Sequence, residues 1–316
     1  MSNPLKLASL MLAVIFSSHS TLAEDVHQRK VVLNLAPDGP ADPTVLNQLL
    51  DAGASKRVTR TPLNLTGDAG TDTFAVPSTA NIAGMNGAFY MTELKIFTRW
   101  QSSAVPVVMC FVPNGPPPTG GYSGSGYACR YYTLAGDTPY VWENVLGSLG
   151  ISGAGYLLIG INPTTPNASS YTMSAWANTY TAGPTGGYYR TSLPIFGFTY
   201  NAATGLSMAL NQDASTRNNI YVANLDMTFS ATVYLYLNQN SPSWGTPVVV
   251  TLAPGEAEQY SLGALFPGYT GGAINIKFVT TGNSTSGVGY VIRTDNYTNN
   301  GIIEVPTSFN YSSWPN

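Results

Sequence analysis

The stretch Thr133-Leu134-Ala135-Gly136, with Leu146-Gly147-Ser148-Leu149 and Gly153-Ala154-Gly155-Tyr156-Leu157-Leu158-Ile159 behind it, returns later in the chain. The second version reads Thr251-Leu252-Ala253-Pro254-Gly255, Leu262-Gly263-Ala264-Leu265 and Gly271-Gly272-Ala273-Ile274-Asn275-Ile276. Upstream, Thr92-Glu93-Leu94-Lys95-Ile96 corresponds to Asn218-Asn219-Ile220-Tyr221-Val222. Downstream, Asn178-Thr179-Tyr180-Thr181 before Leu193-Pro194 is echoed by Asp295-Asn296-Tyr297-Thr298 before Val305-Pro306. The offsets drift from 126 (218−92) through 118 (251−133) to 117 (295−178), as loop-length differences between two copies of one domain would produce. A period this long is not a solenoid unit.

From Phe74 onward the local signal is β. Tyr90 to Phe97, Val105 to Val112, Tyr156 to Ile161, Ile220 to Leu225, Thr232 to Leu237, Val248 to Leu252, Ala273 to Val279 and Gly289 to Arg293 are short runs rich in Val, Ile, Thr, Tyr and Phe, bounded by Gly, Pro, Asn and Ser. A helical period is absent except for one turn's worth around Trp142 to Leu149. The expected fold is all-β: two tandem antiparallel β-sandwich domains of about seven strands each. They occupy 74–196 and 197–316, after a signal peptide (1–23) and an N-terminal extension or linker (24–73); closed barrels are the second choice. The repeated pattern of an aromatic, Thr-Glu-Leu-x-Ile, Thr-Leu-Ala-x-Gly and Gly-Ala-x-x-x-Ile over Phe74 to Phe309 resembles tandem β-sandwich repeats of secreted bacterial proteins that are largely uncharacterised. That resemblance implies a fold and an extracellular setting, and no activity.

The first 23 residues have the form of a secretory signal: Lys6, the apolar run Leu7 to Phe16, and Thr21-Leu22-Ala23 before Glu24. The apolar run is shorter than a membrane span, so a secreted or cell-surface product with no membrane span after signal removal is expected. In the extension, Lys30 to Leu35 reads as a strand and Pro43 to Ala52 as a short helix begun by Asp42. Charged residues are 9% of the chain and the formal net charge is −3. With no basic stripe to neutralise phosphates, nucleic acid is not an expected partner. Cys110 and Cys129, the two cysteines, are expected to form a disulfide across the loop Pro113 to Gly121. A metal site is not expected, because no His or third thiol accompanies them.

Chemistry has thin support. His27 is the one imidazole left after a signal cleavage, so a Ser-His-Asp or Cys-His arrangement cannot be assembled within either repeat. Neither a nucleophile elbow nor a phosphate loop nor a dinucleotide fingerprint is present, and no cofactor is expected. Glu143 beside Trp142 is the most suggestive acid, since a tryptophan next to a carboxylate can stack a sugar and raise the acid's pKa. Glu93 reads as a structural hydrogen-bonding group, and Glu256 and Glu258 as solubilising charges. Asp68 with Asp72, and Asp213 with Asn211, read as Asx turns rather than calcium ligands.

Binding has more support. Trp100, Trp142, Trp176, Trp244 and Trp314, with the pairs Tyr131-Tyr132 and Tyr188-Tyr189, are more aromatics than alternating strands can all turn inward. Trp142, Trp244, Tyr188 and Tyr189 are the candidate ligand-binding residues. The expected function is therefore a secreted, non-enzymatic structural or adhesive cell-surface protein, self-assembling through the strand at Lys30 to Leu35. The alternative is a pair of carbohydrate-binding modules using loop aromatics, and a carboxylate glycosidase ranks third. Partners would accordingly be another copy of the chain or a cell-surface glycan.

Overall fold

A computed structural model describes residues 31–42, 44–46, 48–49, 73–84, 87–98, 103–117, 128–165, 171, 173–182, 188–197, 206–226, 228–238, 245–280, 287–297, 301–304 and 307–308. The signal segment, Trp100, Trp244, Trp314 and the Asp68–Asp72 turn lie outside these residues. The protein is mostly β, as expected. Its strands in chain order are β1 (Val32–Leu33), β2 (Gly39–Pro40), β3 (Thr73–Ala83), β4 (Phe89–Thr98), β5 (Val105–Pro113), β6 (Ala128–Leu134), β7 (Pro139–Trp142), β8 (Gly153–Ile161), β9 (Met173–Ala182) and β10 (Tyr188–Leu193). They continue with β11 (Phe196–Gly197), β12 (Leu206–Asn211), β13 (Thr216–Asn224), β14 (Ala231–Asn238), β15 (Val248–Leu252), β16 (Ala257–Ser261), β17 (Gly271–Thr280), β18 (Gly287–Asp295), β19 (Gly301–Glu304) and β20 (Thr307–Ser308). Two single-turn helices, α1 (Val145–Ser148) and α2 (Leu262–Leu265), follow β7 and β16. Asn144 caps α1 by accepting the Gly147 N–H.

β1 to β11 form one curled sheet, β12, β14, β15, β17 and β20 a second, and β13, β16, β18 and β19 a third. The pairing pattern repeats along the chain. β4 lies between β7 and β9, β5 between β6 and β8, and β3 pairs with β8 and β11. In the same way β13 lies between β16 and β18, β14 between β15 and β17, and β12 pairs with β17 and β20. One echo read from the sequence does not hold in register. Asn178 pairs with Glu93 inside β9, whereas the residue opposite Asn219, the counterpart of Glu93, is Ile292, and Asp295 ends β18. The Asn-Tyr-Thr likeness joins a strand interior to a turn.

Three apolar clusters hold the sheets together. The first fills the curl, with Leu94 and Ile96 facing Val107, Met109, Tyr132, Trp142, Leu157 and Ile159. The third lies between the two smaller sheets, with Ile220 and Val222 against Val233, Leu235, Ile274 and Ile276. The second joins what was expected to be two separate domains. Val108, Cys110, Val112, Tyr156 and Leu158 on the outer side of β5 and β8 pack on Tyr221, Ala223, Val288 and Tyr290 of the four-stranded sheet. β5 and β8 are consequently buried on both faces, which is why they read as continuous apolar runs where β14 alternates.

The segment read as a linker is part of this unit. β1 pairs in parallel with β7 and β2 antiparallel with β6, so residues 32–41 cross from one sheet edge to the other. Asp42 accepts hydrogen bonds from the N–H and Oγ1 of Thr44, each at 2.8 Å, and the helical residues behind it place Val45, Leu46 and Leu49 in the second cluster. The strand expected to be offered to a neighbouring molecule is thus engaged within its own chain.

Cys110 and Cys129 stand directly opposite one another in the β5–β6 pair, with Cα atoms 4.1 Å apart and a disulfide joining them. That spacing is close to the approach of about 4.5 Å at a non-hydrogen-bonded antiparallel pair. The bridge closes a 19-residue separation around the Pro- and Gly-rich loop. Replacing both cysteines by alanine is expected to lower unfolding free energy by about 3 kcal/mol in urea titration, with reductant giving the same shift in the native chain.

Candidate binding face

Strands β4, β9 and β10 turn one side into the curl and the other to solvent. Leu94 and Ile96 on β4 and Ala175 and Ala177 on β9 point inward, so the alternate residues Glu93, Lys95, Trp176, Asn178 and Tyr180 share the outer face. The antiparallel register sets Lys95 beside Trp176, Glu93 beside Asn178, and Tyr180 beside Arg190. Trp176 is 51% exposed and Tyr188 64% exposed. Six residues along β9 separate Trp176 from Ala182, the partner of Tyr188, a span of about 20 Å.

Between the two aromatics lies a polar cluster. Glu93 is 6% exposed, and its Oε1 receives Lys95 Nζ and Asn178 Nδ2, each at 3.0 Å. Its Oε2 lies 3.9 Å from an Arg190 guanidinium nitrogen. Ser192 donates to Asn178 Oδ1 at 3.0 Å, fixing the orientation of that amide. The Arg190 guanidinium sits 5.8 Å from the centre of the Tyr180 ring, which meets Tyr188 edge to face. Tyr180 is tied down in turn, its hydroxyl donating to the Glu143 carbonyl at 2.8 Å. The face therefore carries Lys95 and Arg190 against Glu93, with the Glu143 charge also near enough to act on the Tyr180 hydroxyl, and a line of aromatic and amide groups. Such a surface can stack rings and hydrogen-bond hydroxyls.

The residues singled out in the sequence fall differently. Trp142 is fully buried, stacked on Tyr140, edge-on to Tyr132, and donating Nε1–H to the Leu35 carbonyl at 2.9 Å. It is a core group and cannot stack a ligand. Glu143, the next residue along, is exposed on the other side, so the pairing of this acid with Trp142 fails because successive residues face opposite ways. Burial pushes the neighbouring Tyr132 hydroxyl up to about 12. Tyr188 is on the face, the backbone of Tyr189 lies in β10 opposite Thr181, and Trp244 is outside the described residues. Glu256 is not a free solubilising charge, since its Oε2 accepts the Ala253 N–H at 2.6 Å. Asp213 forms an Asx turn, accepting from the N–H and Oγ of Ser215. Among the described residues no three His, Cys, Asp or Glu side chains gather as metal ligands, and no helix is long and apolar enough to cross a membrane.

Trp176, Asn178 and Arg190 were not selected from sequence. Their signal was the alternation Ala175-Trp176-Ala177-Asn178-Thr179-Tyr180, small residues on one side and large polar or aromatic ones on the other. No protein-family model matches the chain, and no curated protein matches it at a significant level.

Glu93 gives the face its pH dependence. Burial raises its pKa, but hydrogen bonds from Lys95 and Asn178 and the charges of Lys95 and Arg190 outweigh burial and hold the carboxyl below its usual value. A lowered folded pKa contributes stability above the unfolded value that is lost as pH falls through the folded one. Glu93→Gln is expected to cost about 1 kcal/mol near neutral pH, kept small because Lys95 and Arg190 are solvent-screened. In urea titrations the gap between variant and native chain should narrow as pH falls below the usual carboxylate range and Glu93 takes up its proton.

Proposed function

We propose that this chain is a secreted, non-enzymatic adhesive protein, built from two copies of one sandwich domain, that holds an extended glycan on the outer face of β4, β9 and β10. The observation that carries the reading is the pair of exposed aromatics, Trp176 and Tyr188, set about 20 Å apart around the Glu93, Lys95, Asn178 and Arg190 cluster. Stacking on sugar rings needs an exposed aromatic surface, and selectivity needs fixed polar groups beside it. Lys95 and Arg190 offset Glu93 and Glu143 and can pair with the hydroxyl or carboxylate groups of a neutral or acidic chain.

Duplication is supported by backbone conformation as well as by pairing. Left-handed φ values occur at Asp137 and Gly255, at Gly150 and Gly268, and at Gly153 and Gly271, each pair 118 residues apart (255−137, 268−150, 271−153). The two copies use corresponding faces differently, which favours binding over self-assembly. Tyr221 and Tyr290 occupy the register held by Lys95 and Trp176 and are buried in the contact between the copies. In the first copy the same face carries charge, as the terminal face of a stack does when it must stay soluble.

Trp176→Ala and Tyr188→Ala are each expected to abolish or strongly reduce retardation of the native chain in gels cast with soluble polysaccharides, with unchanged melting temperature. Retardation by no neutral or acidic polysaccharide, or retardation indifferent to both substitutions, would overturn the reading. Light scattering should meanwhile return the mass of a single chain; long polymers would restore assembly as the leading function.

A further inference from the structure

A cleft of about 370 Å³ opens where the first copy meets the second, at the far end of their shared apolar contact. Its size is that of a small-ligand site, for which about 300–1,000 Å³ is usual. Ser78, Tyr90, Thr181 and Thr191 line one side, and Asn219, Gln259 and Thr294 the other, above a floor that includes Ala80, Ala154 and Ile292. The wall is therefore hydroxyl and amide over an apolar base.

Two features mark it as a site rather than a packing gap. Thr181 is 2% exposed, yet its Oγ1 has no hydrogen-bond partner, and the buried Oδ1 of Asn114, also on the wall, has none either. Buried polar atoms in that state are rare in folded proteins because they forgo hydration with nothing in return. The Tyr90 ring, meanwhile, lies against bare backbone at Gly84, where a Cβ would fall 2.2 Å from its Cε2. Glycine there lets the ring lie flat along the cleft.

Charge narrows the ligand. Arg217 on the wall is held by Asn296 Oδ1 at 2.8 Å, and no acidic residue lines the cleft. A ligand rich in hydroxyls, with an apolar ring face and no charge, matches such a wall. We propose that the cleft binds a neutral mono- or disaccharide, with Thr181 and Asn114 taking its hydroxyls and Tyr90 its ring face. The cleft shares Tyr180 with the outer face of β4, β9 and β10 but does not rest on the reading given to that face.

The test is saturation-transfer NMR on the purified protein with glucose, galactose, mannose, N-acetylglucosamine, cellobiose and lactose, each followed by titration. At least one of the six should bind, and Thr181→Val and Tyr90→Ala should each weaken it about tenfold or more, equivalent to roughly 1.4 kcal/mol. Trp176→Ala should leave it unchanged. Thr181→Val keeps the side chain's shape and removes an unpartnered oxygen, so its melting temperature without ligand should equal or exceed that of the native chain. Should Tyr90→Ala fail to fold, Thr181→Val decides alone. Absence of binding by all six up to ~10 mM, equal affinity in Thr181→Val, or loss of binding with Trp176→Ala would overturn the proposal.

Discussion

The apolar contact between the curled sheet and the four-stranded sheet is the constraint on which the rest of the protein depends. β5 and β8 carry large apolar side chains on both faces, and the curl can cover only one of them. Leaving Val108, Val112, Tyr156 and Leu158 in water would cost about 1.5–3 kcal/mol for each large side chain. Covering them with Tyr221, Ala223, Val288 and Tyr290 removes that cost and joins the two sheets. Three polar groups at the contact bond across it: Tyr156 donates to the Gly255 carbonyl at 3.0 Å, Tyr290 to Ser78 Oγ, and the Gly115 N–H to the Ala257 carbonyl at 2.9 Å. Ser78 reaches Tyr290 because β3 shifts register between Val76 and Thr79, where Ser78 takes a left-handed φ of 52°.

The N-terminal segment follows from the same economy. A sheet that curls without closing leaves two edges with unpaired backbone groups, here β7 and β6. Residues 32–41 occupy both, with Asn34 N–H on the Val141 carbonyl at 2.7 Å and Ala41 N–H on the Cys129 carbonyl at 3.0 Å. The helical residues that follow fill the flank of the shared contact with Val45, Leu46 and Leu49. One short stretch thereby protects two edges and part of a core.

The outer face of β4, β9 and β10 is the other end of this arrangement. The matching register of β13 and β18 carries Tyr221 and Tyr290 and is covered; here nothing among the described residues covers the face, and charge and hydrogen bonding take the place of burial. Glu93 can be nearly buried at a solvent-facing position because Lys95, Asn178 and Arg190 surround its oxygens. The network holds its side chains in place before any ligand arrives, lowering the ordering cost of binding.

Composition and local pattern by themselves determined the β class, the single-turn helix at Trp142 to Leu149, the Asp42-capped helix, and the cysteine pair, because each rests on near neighbours in the chain; α2 after Tyr260 was not read from the sequence. Several strands were not legible, β9 and β10 above all. Their Ser, Asn and Ala residues carry weak β preference, and long-range pairing of β9 with β4, and of β10 with β9, makes them strands. The likeness between the two halves was legible in the sequence, yet the apolar contact between their sheets was not, although the continuous apolar runs of β5 and β8 announced a second covered face. Trp142 and Trp176 show the division most sharply. Both are tryptophans in strands, and the acid beside Trp142 drew attention to it while Trp176 stands between two alanines. Which side of a strand becomes core is decided by what packs against it, so only the tertiary structure buried Trp142 under the N-terminal segment and left Trp176 in water.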